Sequence, residues 1–396
     1  MSNRPEVDLL LCCARTSLDS KRMDRVRNLL HSQIDWPQLI QMASAHGLTP
    51  LLYYNLQKTS PDLVPPTTLD QLRNHFLSNA ARNIFLADEL NKIINLFEAQ
   101  GISALPLKGP VLASCVYGNL ALRVSSDLDI LVHKRDVLKA KDLLASLDYR
   151  PKFSLPPAQE EAFLDSHDEL FLIHKSGKAL VELHWRITPR DFPLVLSFEH
   201  FAGRLEHIPF ESRIIPTFTP EDYLLILSLH GSMHCWEQLN WVCDVAELIR
   251  VHKEIDWDQL MKKAISLGCK RILLLGLFLA RDLLETDLPA GVLKKVQEDP
   301  AVKSLANSVR QRLFQKVEAP LGILERSLFY WKVSGRLRHR VGYCLRLVFT
   351  PTVGDWKPIP LPPSVSFLYY LIHPLRVAGK YGRICLRRLF LKETFS

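Results

Sequence analysis

The sequence predicts an α+β protein, a small mixed β-sheet set between N-terminal and C-terminal helical regions. Three observations predict it. Apolar residues recur at helical spacing on both sides of a central stretch, from Leu39 to Ala99 and again from Pro220 onward. Between them, Leu128, Ile130 and Val132 alternate with Asp127, Asp129 and Leu131, the period of a strand with two distinct faces. Further on, Leu170 to His174 and Ala179 to Trp185 are joined by Lys175-Ser176-Gly177-Lys178, a turn suited to a hairpin.

The N-terminal helical region takes in residues 1–98. After Asp35-Trp36-Pro37, the residues Leu39, Ile40, Met42 and Ala43 fall at helical spacing, Gly47 interrupts them, and a second helix carries Leu51, Leu52, Tyr53 and Leu56. Pro61, Pro65 and Pro66 break the chain before a long helix expected over Thr68 to Ala99. The segment Ile34-Asp35-Trp36-Pro37-Gln38-Leu39 returns 221 residues later as Ile255-Asp256-Trp257-Asp258-Gln259-Leu260, and at the same offset Gly47 matches Gly268. Two related helical hairpins, or two unrelated helices that each start on an aspartate N-cap, both account for it.

The central unit spans residues 99–215. Its expected elements are a strand at 103–107, a helix at 110–117, a strand at 127–133, a helix at 135–147 and the hairpin at about 169–185. An apolar strand thus runs into Lys108-Gly109-Pro110, where Pro110 suits the first turn of a helix and open amides are able to receive a phosphate. Asp127 and Asp129 project side by side from the next strand, and Glu182 and His184 share a face of a later one. Residues 186–215 carry no clear pattern. A helical bundle is expected over 216–320, with His230, His234, Trp241 and Asp244 among its apolar positions.

Glycine at a strand-to-helix turn, a D-x-D pair and a third carboxylate on a later strand resemble the polymerase-β-type nucleotidyltransferase superfamily. The ordered set Leu107-Lys108-Gly109, Arg123 to Asp129 and Glu182-Leu183-His184-Trp185 is similar to its bacterial, largely uncharacterised branch, which has Lys-Gly where the wider superfamily has Gly-Ser. The similarity is strongest over residues 99–190 and weaker to about residue 290. It implies a polymerase-β-like core and transfer of a nucleoside monophosphate from a nucleoside triphosphate, ATP first among them, to an acceptor. It also implies two Mg²⁺ ions held by Asp127, Asp129 and Glu182, hard oxygen ligands of the kind such ions take. Lys108, Gly109, Arg123 and His184 are then candidates for nucleotide contact.

Each of these residues has a plainer reading. The acids would be solvated on an exposed strand, Lys108 would be a loop lysine, Arg123 would pair with Asp127, and His184 would support the acids. His230 and His234, four apart on one helix and joined by Asp244, form either a metal site, a substrate-facing wall of the cleft, or packing; the glutamate of a zinc-protease motif is missing between them.

Bulk properties narrow the classes. With 47% hydrophobic and 23% charged residues in 396, the chain has the composition of a soluble globular protein, and no apolar run reaches the roughly 18 residues that span a bilayer. The longest, Ile272 to Ala280, belongs to a core helix. Leu9 to Ala14 follows Glu6 and Asp8 without a basic lead, so no signal peptide is expected and the protein is placed in the cytoplasm. Eight cysteines without paired spacing read as reduced thiols. Kinase-type, serine-hydrolase and dinucleotide fingerprints are absent.

Residues 321–396 form a basic amphipathic region with 13 Lys and Arg against three acids, a balance of +10, which leaves −2 for the rest. Arginines alternate there with Leu, Val and Tyr, and a proline-rich link runs from Pro351 to Pro363. An anionic partner or peripheral contact with a membrane surface is expected, or else packing of this region on the bundle. Two other functions compete with nucleotidyl transfer: a related scaffold that binds a ligand or partner without turnover, as in a regulatory or antitoxin-like module, and a nucleic-acid-binding protein that uses the basic tail.

Overall fold

Helices α1 (Pro5–Cys13), α2 (Ser20–Leu30), α3 (Trp36–Ala45) and α4 (Thr49–Thr59) form the first layer, followed by α5 (Pro66–Ala99), a helix of 34 residues. The computed structural model describes residues 4–153, 160, 163–165, 167–315, 321–350, 365, 368–376 and 378–379. Pro66 at the start of α5 supplies a preset φ and no wasted amide. Next come β1 (Ala104–Pro106), α6 (Pro110–Cys115), β2 (Leu128–Val132), α7 (Val137–Ser146), β3 (Tyr149–Pro151), β4 (Glu169–His174) and β5 (Leu180–His184). The hairpin and the D-x-D strand therefore lie where the alternation puts them, and the helix expected to Tyr117 ends two residues sooner.

The sheet has the order β1-β2-β5-β4-β3 and is mixed, parallel at β2 and β5 and antiparallel at its other pairings. Strand β2 is buried along its whole length. Leu128, Ile130 and Val132 pack against Leu90, Ile94 and Phe97 of α5 and Val137 of α7, while Leu131 joins the large helical core on the other face. The acids on that second face thus sit where sheet and helices meet.

Strands β6 (Leu205–Phe210) and β7 (Arg213–Phe218) pair in the stretch that carried no pattern. Pro209 and Pro216 disguise them, since proline within an apolar run argues against a strand. The boundary expected between residues 215 and 216 consequently falls inside β7. Helices α8 (Pro220–Met233), α9 (Leu239–Val251), α10 (Trp257–Leu267), α11 (Lys270–Leu284), α12 (Ala290–Glu298) and α13 (Pro300–Phe314) complete the bundle.

The internal repeat extends beyond the hairpins. Asp35 caps α3 by accepting from the Gln38 amide at 3.0 Å, and Asp256 caps α10 by accepting from the Gln259 amide at 2.9 Å. The amide of each cap is itself received by a glutamate on an earlier helix: Asp35 by Glu6 of α1 at 2.8 Å, Asp256 by Glu221 of α8 at 2.9 Å. Both glutamates follow a proline that opens their helix, and both Gly47 and Gly268 adopt positive φ. Helices α1–α4 and α8–α11 are two copies of one four-helix arrangement.

Helices α14 (Ile323–Val333) and α15 (Leu337–Phe349) pack on the bundle through Phe329, Tyr330, Val333 and Tyr343, which enter the main core. Arg346 donates to the carbonyls of Arg190, Phe192 and Pro193 at 2.9–3.0 Å. Docking onto the protein itself thus accounts for the inner faces of both helices. The link at Pro351 to Pro363 and the basic residues Lys380, Arg383, Arg387 and Arg388 lie outside the described residues.

One buried ion pair ties the bundle to the sheet. Arg123 donates through Nε and Nη2 to the two carboxylate oxygens of Asp244 at 2.8 and 2.9 Å, and the Tyr117 hydroxyl donates to Asp244 at 2.7 Å. Arg123 thus pairs with Asp244 rather than Asp127, and Asp244, expected beside His230 and His234 at the cleft, is engaged on both oxygens by Arg123 and Tyr117. Removing one partner leaves a buried charge unmatched. Asp244→Ala should therefore lower stability to chemical denaturation by about 3–5 kcal/mol, and Arg123→Met combined with Asp244→Leu should recover much of that loss.

Candidate active site

The site begins at β1, whose end delivers Lys108 and Gly109. Gly109 has φ +73°, and a Cβ there would lie 3.3 Å from the Asp127 carbonyl oxygen, so backbone conformation and close approach both call for glycine. Helix α6 that follows has only six residues. Its dipole is short, and charge at this turn comes chiefly from Lys108.

Loop 119–127 carries Arg123 and leads into β2. It is held by the polar face of α5: Asn79 donates to the carbonyl of Ala121 at 2.8 Å, Asn83 to that of Arg123 at 2.6 Å, and Arg82 to those of Ser125 and Ser126 at 3.2 and 2.5 Å. These side chains fix the entry of the chain into the D-x-D strand. Register then sets the rest, because Asp129 of β2 stands opposite Glu182 of β5 and Glu169 of β4 opposite His184 of β5.

The resulting charges alternate in space. Lys108 Nζ lies 2.8 Å from Asp129 Oδ2 and 3.8 Å from Asp127 Oδ1. His184 Nε2 lies 3.1 Å from Asp129 Oδ1 and 3.6 Å from Glu182 Oε2, while its Nδ1 faces Glu169 Oε2 at 3.3 Å. Asp129 is 3% exposed, yet burial is outweighed by Lys108 and His184, which hold its carboxyl below the usual range. Burial and the neighbouring Asp129 push Asp127 up. Burial would depress His184, but its bonds to Asp129 and Glu182 and the charge of Glu169 raise it to about 10. Lys108 is raised likewise, because Asp129 and Asp127 outweigh its burial.

Ligand atoms of Asp129, Glu182 and His184 lie within 4.8 Å of one another, the only such group of three among the described residues. The carboxylates of Asp129 and Glu182 are the hard oxygen donors that a divalent cation takes, whereas His184, raised to about 10, keeps its proton and pairs with them as a cation. His184 thus stands among the acids and also lines the cleft above them.

These groups form the floor of a cleft of about 680 Å³. Its opposite wall is helical. His230 and His234 pack against Trp241 of α9 with ring centroids 5.5 and 5.0 Å away, and all three line the cleft together with Asn240, Arg326 and Tyr330. The two histidines face the site without assembling a metal centre. Burial and Lys108 hold His230 well below the usual histidine range, whereas His234 beside it is exposed. Arg123 reaches the cleft edge but spends its guanidinium on Asp244.

Sequence reasoning missed Glu169, which the hairpin register alone would have placed beside His184. It also missed Asp168, which accepts from Arg186 at 3.1 Å and from the Arg190 amide at 2.7 Å, and the contribution of Arg326 and Tyr330 from the tail.

The depressed His230 has a pH consequence. A folded pKa below the unfolded value near 6.5 means that the unfolded chain binds more protons, so stability is present above pH 6.5 and falls as pH drops toward the folded value. The melting temperature should decline as pH falls below 6.5, and His230→Gln should reduce the decline; an equal decline in that variant would remove His230 as its source.

Searches of curated proteins and of solved structures return no match. A family described as uncharacterised nucleotidyltransferase matches residues 32–285, a span that takes in α3 to α11, the acid cluster and the helical wall above it. With most of its length covered, and with the Lys-Gly turn, the D-x-D strand and the later Glu182 inside that span, the chain belongs to this uncharacterised nucleotidyltransferase family.

Proposed function

We propose that the chain moves a nucleoside monophosphate from a magnesium-bound nucleoside triphosphate to an acceptor hydroxyl or similar group. The convergence of Asp127, Asp129 and Glu182 with the Lys108 ammonium on one face of the sheet, at the floor of a cleft of nucleotide size, carries this reading. In such a transfer the acceptor oxygen bonds to the α-phosphorus, gives up its proton, and the bond to the leaving pyrophosphate breaks. Two Mg²⁺ ions held by Asp127, Asp129 and Glu182 would activate that oxygen and neutralise the triphosphate.

The chain's own groups have distinct tasks. Lys108 offers a point charge to the phosphates, and Gly109 lets the backbone approach them. His184, gripped by Glu169, holds Asp129 and Glu182 in place. Trp241 provides a flat surface for a base. Asn240 beside it lines the cleft, and its buried Oδ1 has no hydrogen-bond partner, so its carboxamide would be the group to meet a base edge. Amide side chains pair bidentately with adenine, which favours ATP.

A scaffold without turnover gains nothing from a buried Asp129 flanked by the half-buried Asp127 and Glu182, and their presence together supports catalysis. Nucleic-acid binding by the tail finds less support, since the side chains exposed on α14 and α15 are mainly aliphatic rather than stacking aromatics. The +10 balance of residues 321–396 nevertheless suits an anionic partner. No described helix is long and apolar enough to cross a membrane, and a cytoplasmic setting, with its supply of nucleotides, fits the reaction.

Asp127→Asn combined with Asp129→Asn should abolish incorporation of labelled nucleotide into cell-extract components while the far-ultraviolet spectrum is retained; activity equal to wild type would end the assignment. Lys108→Ala should weaken nucleotide binding more than metal binding. Thermal stabilisation by each of the four NTPs with Mg²⁺ should be largest for ATP, and Asn240→Leu should erase that preference.

A further inference from the structure

Large apolar side chains left on the surface are concentrated near the C-terminal side of the described chain. Leu324 and Leu328 stand outward on α14, and Leu337, Val341, Leu345 and Val348 do so on α15. The α15 set recurs at helical spacing and makes one continuous stripe, in which Leu337 is 69% and Leu345 53% exposed. Their inner faces are already spoken for by Phe329, Tyr330, Val333 and Tyr343 in the core, so the stripe is a second apolar face on helices that need only one. An exposed patch of this kind marks a contact surface.

Charge selects the occupant. Of the six Lys and Arg in residues 323–349, Arg326 lines the cleft and Arg336 and Arg346 donate to carbonyls of the bundle and of residues 190–193, which leaves Lys332, Arg338 and Arg340 against Glu325, a balance of +2. Arg338 is exposed, and Arg340 lies 5.3 Å over the Trp331 ring at the edge of the stripe. A second copy of the chain would set like charge against like charge. A soluble polyanion would meet the arginines and leave the aliphatic stripe in water. An apolar stripe rimmed by cations matches a bilayer with anionic headgroups, where the apolar side chains enter the acyl boundary and the cations meet the phosphates.

We propose that the outer faces of α14 and α15 dock the protein on an anionic lipid surface. Helix α14 then connects that surface to the cleft. Arg326 and Tyr330, one turn apart, line the cleft, while Leu324 and Leu328 on the same helix face out. Lipid and cleft are separated by about one helix diameter, roughly 10–12 Å. This inference does not depend on the identity of the reaction.

The test uses the full chain and phosphatidylcholine vesicles with or without phosphatidylglycerol, in co-sedimentation. Wild type should sediment with the anionic vesicles only. Val341→Asp combined with Leu345→Asp should weaken that binding by at least about tenfold, with an unchanged melting temperature, and Arg338→Glu should weaken it to a smaller, salt-dependent extent. A second measurement leaves the stripe intact: an environment-sensitive fluorophore on the exposed Cys344, in a Cys385→Ser background, should shift to the blue on anionic vesicles. Failure of wild type to bind either vesicle, binding that the double substitution leaves unchanged, or an unshifted fluorophore would overturn the proposal. So would a wild-type dimer that the double substitution splits, since the stripe would then belong to a second copy.

Discussion

A charged carboxylate sealed inside a sheet persists only where positive charge faces it, and Asp129 imposes that condition on everything around it. At 3% exposure it is solvated by Lys108 on one side and His184 on the other. Each of these cations carries a second obligation, Lys108 to Asp127 and His184 to Glu169 and Glu182. Four acids and two cations thus balance only as a group. The excess of negative charge is what a divalent cation and a polyphosphate complex would resolve, and it is held in place by strand register rather than by flexible loops.

Much of this was readable before any coordinates. Alternation in β2 and β5 assigns Asp127, Asp129, Glu182 and His184 to faces, and the turn at Lys175 to Lys178 sets the hairpin that aligns them. The same turn, with its register counted back along the hairpin, sets Glu169 opposite His184. Arg123 has no such local signal. Its nearest acid in the chain is Asp127, but its partner is Asp244, 121 residues away, and no local pattern announces a bond between a loop and a distant helix. The strands β6 and β7 were hidden by Pro209 and Pro216, whose pairing at a two-stranded sheet tolerates missing amides.

The repeat shows how sequence signals gain meaning from packing. Five matching residues around Trp36 and Trp257 are equally compatible with convergence, since aspartate before a helix is common. What distinguishes the two accounts is the glutamate that receives each cap's own amide, Glu6 in one copy and Glu221 in the other, because nothing in helix capping requires it. The two copies also meet: the Asn240 amide of α9 donates to the carbonyl of His46 in the turn after α3. One copy therefore supplies most of the helical wall of the cleft, and the other adds Ser44 and Gly47 to its lining.

The placement of the cleft follows from β2 itself. Along one face of this strand Asp127 and Asp129 precede Leu131, and Leu131 is fully buried in the helical core. A single face therefore has to be polar at one end and apolar at the other. The bundle covers the apolar end, and the Arg123–Asp244 pair with Tyr117 fastens it there, at the level where burial begins. Beyond that point the helices cannot close down on the acids without desolvating them further, so they stand off, and the space that remains is the cleft. Helix α14 then supplies Arg326 and Tyr330 as its last wall, which makes a segment outside the matched family span part of the site.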